Sequence, residues 1–192
     1  MIISTGMADF DEIQEAIEAA KEGGCKELAI LHCVSSYPAP VEDYNLATLV
    51  EMQQRFGLVT GLSDHTIDNT TAITSVALGA SIIEKHVTLD INGGGPDDSF
   101  SIEYKDLKKL CSSARTAWKS LGEVDYSVKP SEKVSIKFRR SLYFVKDIKA
   151  GETITKEHVK SIRPGYGLPP KEIDNIIGKK AIKNIKKGTA CQ

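Results

Sequence analysis

Leu58-Val59-Thr60-Gly61-Leu62-Ser63-Asp64-His65-Thr66 is the stretch on which the fold turns. An apolar run from Leu58 to Leu62 reads as a strand and passes directly into four polar residues. The same change occurs upstream, where Leu28-Ala29-Ile30-Leu31 ends in His32-Cys33-Val34-Ser35, and downstream, where Ser81-Ile82-Ile83 ends in Glu84-Lys85-His86. A shorter run, Ile2-Ile3, precedes Ser4-Thr5-Gly6. Helical spacing fills the intervals. Phe10, Ile13, Ile17 and Ala20 share one face of a helix from about Asp9 to Lys21, with Asp9 and Glu12 set as a capping box and Gly23-Gly24 as the stop. A second helix spans about Asn45 to Phe56, burying Leu46, Leu49, Val50 and Phe56, and a third spans about Asn69 to Leu78. A fourth, about Glu103 to Leu121, carries Tyr104, Leu107, Leu110, Ala114, Trp118 and Leu121 as its apolar stripe.

Strands followed by helices at a period of about 25–30 residues predict an α/β fold with a parallel sheet buried on both faces. Polar residues crowd the C-terminal ends of the strands, the edge where such folds build their sites. Four βα units make half of an eight-fold barrel, and an open sheet fits the pattern equally well.

The chain has 192 residues, 41% hydrophobic and 27% charged, the composition of a globular protein. A formal charge of −1 argues against a bulk electrostatic grip on nucleic acid or an anionic membrane. The basic runs at Lys137, Arg139 and Arg140 and at Lys179, Lys180, Lys183, Lys186 and Lys187 read as a solvated face. No apolar run is long enough to cross a bilayer, and the first residues lack the basic and long apolar segments of a secretion signal. Cys25, Cys33, Cys111 and Cys191 have no metal-type spacing and read as reduced, mostly buried thiols in a cytoplasmic protein.

Residues 1–122 form the βα part. Residues 123–137, polar, containing Pro130 and without periodicity, read as a linker, and residues 138–192 as a small β-rich domain. That domain holds an internal repeat, Val145 to Thr153 against Ile182 to Ala190, each copy reading as strand, Gly turn, strand. Between the copies lie a rigid Arg163-Pro164-Gly165-Tyr166-Gly167-Leu168-Pro169-Pro170 loop and a short helix near Lys171 to Ile177.

His65 and His86 stand past the ends of consecutive strands, and neighbouring parallel strands lie ~4.8 Å apart, so the two imidazoles can converge on one ion or one substrate oxygen. Such histidines also serve as plain hydrogen-bonded rim residues. Asp64, Glu84, Asp97 and Asp98 offer hard oxygens nearby. Ser4, Thr5, Gly6, Ser35, Ser36 and Ser63 suit an oxyanion, or merely cap helices. Lys85 suits an anion or an ordinary ion pair, and Gly93 to Ser99 is a flexible loop carrying two carboxylates.

Taken in order and spacing, Ser4-Thr5-Gly6-Met7, His32-Cys33-Val34-Ser35-Ser36-Tyr37-Pro38, Gly61 to Thr66, Ile83 to Thr88 and Gly95-Pro96-Asp97-Asp98 resemble the sialic acid synthase family. Arg139-Arg140-Ser141-Leu142 through Arg163-Pro164-Gly165 resembles its C-terminal antifreeze-like SAF domain. The resemblance implies strands five to eight of a TIM barrel followed by a small β-clip domain, in a domain-swapped homodimer. It implies condensation of phosphoenolpyruvate with an N-acetylmannosamine-type sugar to give a nonulosonic acid and phosphate. His65 and His86 would hold a divalent metal ion, Mn²⁺ or Mg²⁺. Ser4, Ser35 and Ser63 match phosphoenolpyruvate-binding positions, and Glu84, Tyr37 and Asp97 match positions facing the sugar or the attacking water. Glu84, His86 and Asp97 are thus the candidate catalytic residues. Arg163 matches an arginine that reaches the partner's site and binds the N-acyl group. Asp98 stands where many members that make N-acetylneuraminate carry His.

Measured against the family, the chain begins at the fifth barrel strand, leaving outside it a catalytic glutamate and the lysines that hold phosphoenolpyruvate. A fragment, a separate N-terminal barrel half or two paired half-barrels would account for that, and turnover by this chain alone is not expected. Two alternatives stand beside the synthase. One is another phosphoenolpyruvate-dependent sugar-acid synthase, and the other a non-catalytic carbohydrate-binding or assembly chain.

Overall fold

In the computed structural model, which describes residues 1–192, the chain separates into two units, Met1–Glu123 and Val124–Gln192. The first alternates β1 (Ile2–Ser4), α1 (Phe10–Glu22), β2 (Ala29–Cys33), a 3₁₀ turn (Val41–Tyr44), α2 (Ala47–Phe56), β3 (Val59–Asp64), α3 (Thr70–Ala77) and β4 (Ile82–Lys85). Two short parallel strands, β5 (Val87–Thr88) and β6 (Ile102–Glu103), follow before α4 (Tyr104–Leu121). The main sheet is parallel throughout, in the order β1-β2-β3-β4. α1 begins with the expected capping box: Asp9 Oδ1 accepts from the Glu12 N–H at 3.0 Å, and Glu12 Oε2 accepts from the Asp9 N–H at 2.9 Å. Such a cap stabilises a helix start by ~1 kcal/mol.

The apolar residues that face the helices are Ile3, Leu28, Ile30, Leu58, Leu62 and Ile83. They pack with Ile13, Ile17 and Met52, with Tyr44 and Leu49, and with Ala72, Leu107 and Leu110. The opposite face meets the expectation of burial on both sides only in part: Ala29 and Leu31 on it are buried, whereas Ile2 and Val59 are 58% and 51% exposed. Strand order provides the reason. Right-handed crossovers between successive neighbours, with no reversal of direction along the sheet, put every crossover helix on the same side. α4 departs from its reading too: Leu110 is buried, whereas Tyr104, Trp118 and Leu121 are exposed. All four cysteines are free; Cys33 and Cys191 are buried, and Cys111 is exposed.

In the second unit the stretch read as an irregular linker contains a 3₁₀ helix, Pro130–Phe138, whose Lys137 carbonyl accepts from the Gly165 N–H. β7 (Ser141–Phe144) and β8 (Val159–Ile162) are antiparallel. The predicted helix near Lys171 is a 3₁₀ segment, Pro170–Asn175. The two repeat copies do not fold as separate hairpins but pair with each other. Ile148 and Ile185, equivalent positions, exchange both backbone hydrogen bonds at 2.9 and 2.8 Å. Gly151 N–H donates to Ala181 O and Gly188 N–H to Phe144 O, each at 2.7 Å. Asn184 Oδ1 accepts from Ala150 N–H just as Asp147 Oδ1 accepts from Lys187 N–H. The copies are therefore related by a local two-fold axis around a core of Leu142, Phe144, Ile148, Ile154, Val159 and Ala181. No helix of the chain is long and apolar enough to cross a membrane.

Gly61, in the middle of β3, tolerates no side chain. A Cβ there would lie 2.5 Å from Ile82 O and 2.6 Å from Leu31 Cδ2. Gly61→Ala is expected to force β3 away from a neighbour and lower the stability of the 192-residue chain by about 1–3 kcal/mol, read as a lower urea midpoint. An unchanged midpoint would mean that the strands separate without cost.

Candidate active site at the strand ends

Pairing fixes which side chains share a level. Cys33 is in register with Ser63, and Ser63 with Glu84, so the three stand in one tier on the face away from the helices. Ser63 Oγ donates to Glu84 Oε1 at 2.7 Å. One step further along, His65 and His86 follow the last residues of β3 and β4, with ring centroids 5.3 Å apart. Tyr37 lies on His65 at 4.2 Å, and Phe100 closes the group at 5.3 Å from Tyr37 and 5.2 Å from His86. Asp97 Oδ2 is 3.6 Å from His86 Nδ1.

His65 is buried, and its Nδ1 is 2.7 Å from the Val34 carbonyl. A carbonyl only accepts, so in the neutral ring Nδ1 carries the proton and Nε2 keeps its lone pair. Cys33 Sγ and Ser35 stand alongside, with Cys33 Sγ 4.0 Å from both His65 Nδ1 and Ser35 Oγ.

The sequence-predicted residues thus divide. Ser35, Tyr37, Ser63, His65, Glu84, His86 and Asp97 come together at one edge. Ser4 ends β1 at that edge, in register with Leu31, one tier below Cys33. Arg163 belongs to the second unit, directly after β8. Two proposed hard-oxygen donors are committed elsewhere, which corrects their reading. Asp64 is fully buried on the helix side, taking Lys85 Nζ at 2.8 Å on one oxygen and the Thr66 N–H and hydroxyl on the other. Lys85, bonded also to the Thr66 carbonyl, is therefore an ion-pair partner and not an open anion site. Asp98 anchors the 90–98 loop, accepting from Thr88 Oγ1 at 2.6 Å and Gly95 N–H at 2.8 Å.

Two residues here escaped the sequence reading. Phe100 could have been found from its place two residues beyond Asp98. Tyr44, whose hydroxyl touches Ser63 and His65, gave only a weak signal, an aromatic with a polar tip soon after a strand end.

A hard divalent ion fits two imidazoles, one with its Nε2 turned away from the Val34 carbonyl and 3.5 Å from Ser63 Oγ, provided that water or substrate oxygens complete the shell. No group of three or more His, Cys, Asp or Glu residues converges, so the protein by itself supplies a sparse donor set.

A singly wound parallel sheet with imidazoles, a carboxylate and hydroxyls at its C-terminal edge, followed in the chain by a two-fold β unit, defines a βα-type enzyme scaffold with an appended module. The NeuB family matches residues 1–126 and the SAF domain residues 139–190, and the chain belongs to the NeuB family. It is 40% identical over 189 residues to the pseudaminic acid synthase of Campylobacter jejuni, covering 98% of this chain and 55% of that protein. With the N,N'-diacetyllegionaminic acid synthase of the same organism it shares 39% over 189 residues, 97% of this chain and 57% of the relative. The crystal structure of the sialic acid synthetase of Leptospira borgpetersenii superposes with a TM-score of 0.63 at 36% identity, over 70% of this chain and 47% of that one. The chain spans about half the length of the relatives that it matches.

Removing one partner of a buried ion pair strands the other. Asp64→Asn is expected to cost about 3–5 kcal/mol in urea unfolding, far above the loss from an exposed pair. A cost under about 1 kcal/mol would show that Lys85 finds water.

The Thr88 hydroxyl, and then the Gly95 N–H, hold the Asp98 carboxyl below the usual carboxylate range. The anchor is thus at full strength above the ordinary aspartate pKa and is lost as pH falls through the lowered value. Exchange of the Gly95 amide, corrected for its intrinsic pH dependence, should gain protection as pH rises across that window, and a flat profile would contradict the anchor.

Proposed function

We propose that this chain forms the C-terminal half of a (β/α)₈ barrel with a β-clip SAF domain, and acts in a phosphoenolpyruvate-dependent synthase of nonulosonic acids. The observation that carries this reading is the convergence of His65, His86, Ser63 and Glu84 at one strand edge, in a chain of the NeuB family. The single-sided sheet and the names of the relatives support it.

In this reading Ser4 and Ser35 hold phosphoenolpyruvate by hydroxyl donation, and Ser63 lines the same subsite. Ser63 also bonds Glu84, which fixes the carboxylate that orients the attacking water at C2. Tyr37 and Asp97 face the open-chain N-acetylated sugar, and Arg163 of a partner copy in a swapped dimer binds its N-acyl group. C3 of phosphoenolpyruvate bonds to the aldehyde carbon, whose oxygen becomes a hydroxyl. Water adds at C2, the C2–O bond to phosphate breaks, and the keto acid and phosphate leave. His65 and His86 would hold Mn²⁺ or Mg²⁺, which when bound supplies Lewis acidity at the aldehyde oxygen. Holding both substrates in attack geometry provides up to ~7–11 kcal/mol of the barrier, and that task needs the whole barrel.

The experiment joins this chain behind the portion of the Campylobacter jejuni pseudaminic acid synthase that lies outside the match, and supplies N-acetylated aldoses with phosphoenolpyruvate labelled with ¹⁸O at the C2–O bridge. The label is expected in phosphate, with release dependent on both substrates. Label retained in the keto acid, or release without the sugar, would refute the reading. In the 192-residue chain itself, His86→Ala should weaken Mn²⁺ binding by at least about tenfold in calorimetry, and unchanged affinity would remove His86 from the metal site.

A further inference from the structure

We infer that Tyr44 is a positioning residue for His65, acting through the end of β3. Its phenol donates to the Ser63 carbonyl at 3.0 Å and accepts from the His65 N–H at 2.6 Å. The inference rests on the proposed use of His65 at the site, and its geometry stands apart from that use.

The bridge fills a gap left by β2. Within β3 the Thr60 carbonyl accepts from Ser81 N–H on the β4 side, so alternation turns the peptide groups of Ser63 and His65 toward β2. β2 pairs with β3 no further than Cys33 opposite Ser63, and beyond that point its chain leaves the sheet. A strand that continued would have supplied one donor and one acceptor. A single phenolic hydroxyl supplies both. The Ala39 N–H, donating to the His65 carbonyl at 2.9 Å, holds the far side of the same residue.

Tyr44 is built to stay there. It is fully buried against Ala39, Leu49 and Leu62, its ring stands edge-on to His32, and its own carbonyl contacts His32 Nε2. With the backbone fixed on both sides of Asp64, the imidazole of His65 arrives with Nδ1 on Val34 and Nε2 beside His86, 3.5 Å from Ser63 Oγ. Phenylalanine would keep the packing and leave a buried carbonyl and a buried N–H without partners. Water would have to enter, and the strand tip would move.

The test uses the full 192-residue chain with ¹⁵N-histidine, at a pH about two units above the ordinary imidazole pKa of ~6.5. Long-range ¹H–¹⁵N correlation should show His65 in the wild type as the single Nδ1–H tautomer. Tyr44→Phe is expected to mix the tautomers and to weaken Mn²⁺ binding about 10–100-fold, well below the melting temperature. Leu49→Ala, in the same cluster but without the hydroxyl, should lower the melting temperature and leave the His65 tautomer unchanged. A merely structural Tyr44 predicts that both variants leave the tautomer alone, and that result overturns the inference. If the wild type binds no Mn²⁺, the metal reading of His65 fails while the tautomer comparison still decides the role of Tyr44. Should Tyr44→Phe not fold, p-aminophenylalanine at the position keeps the ring and the donor but weakens the acceptor. An upfield shift of the His65 amide proton would then support the bridge, and an unmoved resonance would overturn it.

Discussion

The register that sets Cys33 beside Ser63, and Ser63 beside Glu84, governs where every polar group at the strand ends goes. Side chains alternate faces with a period of two, so a slip of one residue would carry Ser63 and His65 to the helix side and bring Asp64 to the open face. Gly61 permits the close approach on which this register depends, because β4 backbone and the Leu31 side chain occupy the space of its missing Cβ. Asp64 and Lys85 are themselves register partners, joined at 2.8 Å in a buried pair. Burying two charges is costly, and a pair of this kind is a poor source of net stability. Its physical effect here is selective: only one register lets these charges meet, and any other leaves them buried apart.

The two faces of the strand tips therefore have separate tasks. Behind them, Tyr44, Asp64, Thr66 and Lys85 satisfy one another and the backbone in a layer with little access to water. In front stand Ser63, Glu84, His65 and His86, with the Ser63 hydroxyl donating to Glu84 and lying 3.5 Å from His65 Nε2. Tyr37 and Phe100 flank the imidazoles with ring faces and edges. Apolar walls of that sort lower the local dielectric, so charge that develops beside the imidazoles interacts more strongly than it would in water. The rear layer fixes the strand tips from which the front side chains project.

Much of this organisation was legible in the chain because strand and helix periods are local. Ile3, Ile30, Leu62 and Ile83 announce their strands, the Asp9–Glu12 pair announces a helix start, and the polar residues after each run announce the edge. The exposure of Ile2 and Val59 was not legible, since it depends on where the crossovers place their helices. Lys85 offered two readings that only the position of Asp64 separates. Asp98 looked like a donor to the site, and the nearness of Thr88 and Gly95, set by the fold of the 90–98 loop, turns it into an anchor. Tyr44 and Phe100 belong to no periodic pattern, and only the place of Phe100 just beyond Asp98 points toward the site.

The repeat in the second unit carries this contrast to its end. Local likeness between Val145–Thr153 and Ile182–Ala190 suggested two hairpins, because each copy has strand residues on either side of a glycine turn. A copy closed on itself would bury only its own few apolar side chains, too little to offset the entropy of ordering them. Pairing equivalent positions across a two-fold axis instead gathers Phe144, Ile148, Ile154 and Ala181 into one core and lets each copy's Asp147 or Asn184 bind the other's turn. The same sequence similarity that marks a repeat thus also makes the two copies complementary. Each presents at the axis a donor and an acceptor that meet the same pair on its twin.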